Sequence, residues 1–131
     1  MCQFKIVDSD PSVDRIIIFD ENELKELLYR KAMKKNKIIL LESPCAGVLT
    51  IGVGNPYGFV QFMDKNGTPP YLLAVENTSH SDTDSFVEFD SGGTPTPIPI
   101  YACLPLDQVI NIALYFYINK DLPKYIDWKE I

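Results

Sequence analysis

Four apolar runs of strand length follow one another between residues 38 and 76: IILLE (38–42), GVLTIGV (47–53), GFVQFMD (58–64) and YLLAVE (71–76). Several are apolar on both faces. In the last, Leu72 and Ala74 point opposite to Tyr71, Leu73 and Val75, which predicts a sheet with helices or loops over both sides. The DKNGTPP stretch between the last two runs reads as a turn pivoting on Asn66-Gly67. FKIV (4–7) and RIIIF (15–19) read as two further short strands, linked by the polar DSDPSVD. FVEF (86–89) is another, with Glu88 on the face opposite Val87 and Phe89. After it, GGTPTPIPIY breaks regularity, because the prolines at 95, 97 and 99 exclude a central strand. KYIDW near the end suits a short edge strand or an extended tail.

Two segments carry helical signals. In FDENELKELLYRKAMKKNK, Asp20 is placed to cap a helix, with Glu23 at capping-box spacing. Leu24, Leu27, Leu28 and Ala32 share one face, acids occupy the first turn and bases the last, and Asn36 is the expected terminator. The second helix opens at Pro105, and Leu106, Val109, Ile110, Ala113, Leu114 and Tyr117 follow the 3.6-residue repeat. Ile112, Tyr115 and Phe116 lie around that stripe, so this helix is expected to be buried broadly. The element order predicts an α+β domain: a mostly antiparallel β-sheet packed with two principal helices, about 20–36 and 105–118. A chain of 131 residues, 46% of them hydrophobic, suits a single domain over 1–131 with a core that needs no staples.

Charge is unevenly spread. The net charge is −6, and residues 66–131 hold three basic and nine acidic side chains, whereas 1–65 are balanced. No Lys or Arg lies between Lys65 and Lys120. That distribution disfavours direct nucleic-acid binding through phosphate contacts and favours a basic protein partner, which a one-sign field would steer. The N-terminus lacks the basic start and apolar run of a signal peptide. No stretch approaches the ~18 apolar residues of a membrane span, so a soluble, cytoplasmic protein is expected. Cys2, Cys45 and Cys103 are odd in number and widely spaced, which reads as reduced, mostly buried thiols.

The residues that carry chemistry do not assemble into a catalytic pattern. His80, the only histidine, adjoins Ser79 and Ser81 in a polar loop with no nucleophile-elbow pattern. No set of Cys and His has zinc spacing, and Pro44-Cys45 lacks the second cysteine and the His-x-Glu of a deaminase site. DTDSFVEFD offers oxygens but neither the mid-loop glycine nor the terminal glutamate of an EF-hand. IGVGNPYG is followed by a strand and contains no Lys-Ser/Thr, so it reads as strand–turn–strand rather than a phosphate cradle. Glu88 and Asp90 would suit a glycosidase only with an aromatic cleft that the chain does not reveal. No catalytic residue, metal site or cofactor is expected.

The order IGVGNPYGFVQFMDKNGTPPYLLAVE, then FVEFDSGGTPTPIPIYACLPLDQVINIALYFYINKDLPKYIDW, resembles the Imm1 family of immunity proteins from bacterial polymorphic-toxin and contact-dependent inhibition systems. The resemblance covers roughly residues 38–131, its most family-like features being the helix after LPLDQV and the LPKYIDW ending. It implies a cytoplasmic protein that binds one cognate toxin domain and occludes its active site, the toxins of such systems including nucleic-acid deaminases and nucleases. It transfers no catalytic motif. Trp128 and LPKY are assigned to packing. An enzyme acting on nucleic acid needs a basic cleft, which an inhibitor can fill with carboxylates. Glu76, Asp82, Asp84, Glu88 and Asp90 are therefore the expected partner-binding acids, with Tyr57, Phe59 and Tyr101 as aromatic anchors. The alternatives are a small intracellular enzyme, a binder with a small-molecule pocket between sheet and helix, and an adaptor domain.

Overall fold

The computed structural model describes residues 3–8, 15–75 and 85–131. Its elements are β1 (Phe4–Asp8), β2 (Ile16–Ile18), α1 (Glu21–Ala32), β3 (Lys37–Ser43), β4 (Gly47–Val53), β5 (Tyr57–Met63) and β6 (Leu72–Val75). Then come β7 (Phe86–Ser91), β8 (Thr94–Pro99), a 3₁₀ turn (Ile100–Ala102), β9 (Leu104–Pro105), α2 (Leu106–Asn119) and β10 (Asp127–Glu130). The sheet runs β10-β6-β5-β4-β3-β1-β2, with β7 bridging to β3, β8 to β7 and β9 to β5. All these pairings are antiparallel except a single parallel bridge, Lys37 to Asp90, between β3 and β7. This is the expected α+β fold.

Local chemistry accounts for the elements. Asp20 caps α1 by accepting a hydrogen bond from the Glu23 backbone N–H at 2.8 Å, and Leu24, Leu27, Leu28 and Ala32 are buried. The helix ends at Ala32, earlier than the expected Asn36. Tertiary pairing takes Asn36 instead: its carbonyl accepts from Asp90 N–H at 2.9 Å, and its side chain donates to the Glu88 carbonyl at 3.1 Å. In the β5–β6 connection Gly67 takes φ 72°, Gly67 N–H donates to the Asp64 carbonyl at 2.9 Å, and the Asp64 carboxylate accepts from Asn66 and Thr68. Those hydrogen bonds, the Asn66 backbone one foremost, hold the Asp64 carboxyl below its ordinary range. Trp128 Nε1 donates to the Pro123 carbonyl at 3.0 Å and the ring packs on the main core, the packing role expected for it.

α2 is buried broadly, but its most buried positions are Leu106, Val109, Ile110, Ile112, Ala113 and Phe116, with Leu114 and Tyr117 only partly covered. The stripe turns toward Ile112 and Phe116 because α1 and the sheet flank α2 together, and Tyr29 of α1 donates to Asp107 of α2 at 2.7 Å. That bond to a carboxylate raises the tyrosine pKa.

GGTPTPIPIY, expected to break regularity, contains a strand. Gly92 and Gly93, at φ 61° and 95°, form a two-residue turn closed by Ser91 and Thr94, and β8 pairs back along β7. Proline still decides where the strand lies, since β8 has β7 as its only neighbour among the described strands. Of the cysteines, Cys103 is as expected and Cys45 is not. Cys103 is free and buried, whereas Cys45 is exposed in the β3–β4 turn and disulfide-bonded. The only other cysteine of the sequence, Cys2, lies outside the described residues.

The sheet carries a core on each face. On one, Ile39, Leu41, Leu49, Ile51, Val53, Val60 and Ala74 meet both helices, and Phe116 packs edge-on against Phe4 and Phe62. On the other, Ile38 and Phe59 meet Phe89 and Cys103, with Val87, Ile98 and Ile100 around them. Gly52 supplies the space: a Cβ there would collide with the Phe59 ring, which stacks edge-on against Phe89 at 5.0 Å.

Candidate partner-binding surface

The β7–β8 hairpin lies over the second sheet face. Val87, Phe89 and Ile98 point into the small core, so strand alternation sends Phe86, Glu88 and Asp90 outward, opposite Pro99, Pro97 and Pro95. Phe86 is 58% exposed and Glu88 is exposed without an ion pair among the described residues. Neither side chain contributes to a core.

The outer edge of β8 is unusual. The bridge between Glu88 and Pro97 requires Thr96 and Ile98 to turn their backbone groups toward β7. Pro95, Pro97 and Pro99 then hold the outward positions, where a proline presents a carbonyl and no N–H. The edge of β8 turned away from β7 has acceptors and no donors.

The expected site residues separate into groups. Glu76, Asp82 and Asp84 lie outside the described residues, as does His80. Glu88 and Asp90 share the hairpin face, but Asp90 is half-buried and paired with Lys35 at 3.1 Å. Tyr57, 41% exposed, begins β5 beside Pro105. Asn36 links that corner to Glu88, since it lies against Gly54 and also bonds the Glu88 carbonyl. Phe59 is 2% exposed and belongs to the small core, so it is not an available anchor; the open space above Gly52 draws it inward. Tyr101, 37% exposed, lies under the Lys129 ammonium, 5.2 Å from the ring centroid. Its 3₁₀ turn starts at the open end of the hairpin, where Ile100 N–H donates to the Ser85 carbonyl at 2.9 Å.

Two features escaped sequence reading. One is Phe86, whose exposure follows from the alternation that made Val87 and Phe89 core residues. The other is the basic C-terminal end of α1, which the fold brings beside the acidic hairpin. Lys35, Asn36, Glu88, Phe89, Asp90 and Pro95 line a shared groove of about 400 Å3. Lys31, Lys34, Lys35 and Lys37 line an adjoining cavity. The basic-free interval from Lys65 to Lys120 thus does not become a one-sign surface.

Among the described residues, no three His, Cys, Asp or Glu side chains gather as a metal site, and no helix is long and apolar enough to cross a membrane. Burial pushes the Cys103 thiol up to about 11, which leaves it protonated and unsuited to nucleophilic chemistry near neutral pH.

The described residues thus present an α+β fold with an outward-facing hairpin over the second sheet face. The profile of the immunity protein Imm1 family matches residues 21–130, nearly the whole chain and α1 as well as the segment expected from sequence. The chain belongs to the Imm1 family of immunity proteins. Membership implies neutralisation of a cognate toxin through binding, a role without catalysis. No curated protein matches the sequence.

Proposed function

We propose that this protein is a cytoplasmic, non-enzymatic immunity protein, one domain over 1–131, that covers the active site of its toxin with the outer face of the β7–β8 hairpin. One observation carries the reading: Phe86 and Glu88 stand exposed side by side on that face with no role in either core. An exposed aromatic ring next to an exposed carboxylate suits a partner presenting cations around an apolar recess. The toxin that fits is a nucleic-acid-acting enzyme, a deaminase or nuclease of a polymorphic-toxin or contact-dependent inhibition system, because such an enzyme needs a basic cleft. Glu76, Asp82 and Asp84, in the acidic segment leading into β7, extend the same charge. Tyr57 and Tyr101 flank the hairpin as secondary anchors. The donor-free edge of β8 rules against strand addition, so contact is made by side chains of the face.

The test is co-expression with the toxin encoded beside this chain, followed by affinity measurement. Phe86→Ala with Glu88→Lys is expected to weaken binding by about a thousandfold, two losses near hot-spot size, and to abolish protection. Unchanged protection by this folded double variant would move the interface off the hairpin. Failure of the unmodified protein to protect would end the immunity reading for that toxin.

A further inference from the structure

The cavity at the C-terminal end of α1 has a cationic lining. Lys31, Lys34, Lys35 and Lys37 wall a space of about 300 Å3. Two of them are held in place from below. Asp8, with its side chain 1% exposed, accepts from Lys31 Nζ through Oδ2 at 2.7 Å and from Lys37 Nζ through Oδ1 at 2.9 Å. Those two lysine side chains are only 14% and 16% exposed. Lys35 reaches Asp90 at the rim, and Lys34 has no ion pair among the described residues.

Each ammonium has three N–H donors, and the Asp8 carboxylate engages one on Lys31 and one on Lys37. Both lysines line the cavity. Among the described residues, four cations stand against two carboxylates, an excess of positive charge in a recess, where salt screens less than on an open surface. Because Asp8 already fixes Lys31 and Lys37, a ligand would not have to order them. A small anion with several acceptor oxygens complements the unused donors better than chloride does.

We propose that this cavity is an oxyanion site that takes a carboxylate or a phosphate group. The anion is either a free small molecule or an acidic side chain of a protein covering the neighbouring groove, and its oxygen chemistry is the same in both cases. The site stands on the lysines and Asp8 alone, independently of the toxin reading.

The full-length protein, labelled for amide NMR, is titrated with inorganic phosphate and, in parallel, with acetate, each against chloride at matched ionic strength. Saturable shifts confined to residues 31–37 are expected with phosphate, acetate or both. Saturation by acetate assigns the site to carboxylates, and saturation by phosphate alone assigns it to phosphate. Lys34→Gln, at an exposed position, should weaken that binding about tenfold, the loss of one charge-assisted contact. The thermal midpoint without anion should stay unchanged. Shifts that are linear, that chloride reproduces, or that Lys34→Gln leaves intact would overturn the proposal.

Discussion

On one face of the sheet two helices, joined by the Tyr29–Asp107 hydrogen bond, seal a core that runs from β1 to β6. On the other, a hairpin attached by one parallel bridge, the Asn36–Glu88 hydrogen bond and the Lys35–Asp90 ion pair covers Ile38, Phe59 and Cys103. The first core draws on most strands and both helices. The second is smaller, with the Phe59–Phe89 ring pair beside Ile38 and Cys103. The larger core lies on the helical side, whereas the proposed partner-binding side chains, Phe86 and Glu88, are on the hairpin side. Regions that bind are commonly drawn from the less stable part of a fold.

That contrast can be broken by substitution. Phe116→Ala, in the main core, is expected to cost about 3–5 kcal/mol in chemical denaturation. Phe89→Ala should fall near the lower end of ~3–5 kcal/mol, because the lightly attached hairpin can settle into the space. Its more telling readout is Cys103. In the unaltered protein this thiol is buried, with a pKa raised from 9.0 to about 11, so it should react slowly with a disulfide reagent at pH 8. Phe89→Ala should accelerate that reaction well before global unfolding. Equal acceleration by Phe116→Ala at matched stability would show that the two faces open together. Since the folded thiol keeps its proton longer than the unfolded one, its contribution to stability is whole below pH 9 and is lost as pH rises toward 11.

Surface and cap substitutions should act more weakly. Asp20→Ala removes the α1 cap and should cost about 1 kcal/mol without changing Cys103 reactivity. Phe86→Ala should change stability by less than about 0.5 kcal/mol, as befits an exposed residue, while weakening toxin binding. A larger stability loss would make Phe86 a packing residue and weaken the reading of the hairpin face.

Much of the helical side was legible in the sequence because periodicity and caps are local. Asp20 with Glu23, the Leu24–Ala32 stripe and the strand runs from 38 to 75 all appear where their spacing puts them. The hairpin side was less legible because its arrangement depends on distant residues. Prolines at every second position look like a broken segment until β7 supplies a partner. Phe59 looks like a free aromatic until Gly52 opens space beneath it. The basic residues beside the hairpin were hidden for the same reason: Lys35 and Asp90 are far apart along the chain, and their meeting follows from the Asn36 pairing with β7. The Imm1 resemblance, read from the order of segments, was confirmed over a longer span than expected.

The three prolines of β8 have one more consequence. An exposed two-stranded segment carrying a phenylalanine on its surface is a natural template for fibril growth, since an incoming chain needs a row of backbone donors and acceptors to pair with. β8 offers that chain only half of the row. The hairpin can therefore keep Phe86 in water at high protein concentration without recruiting copies of itself along that edge. Replacing Pro97 with Thr, a change that touches neither core, should restore a donor there and give thioflavin-positive aggregates under conditions where the unaltered protein stays dispersed.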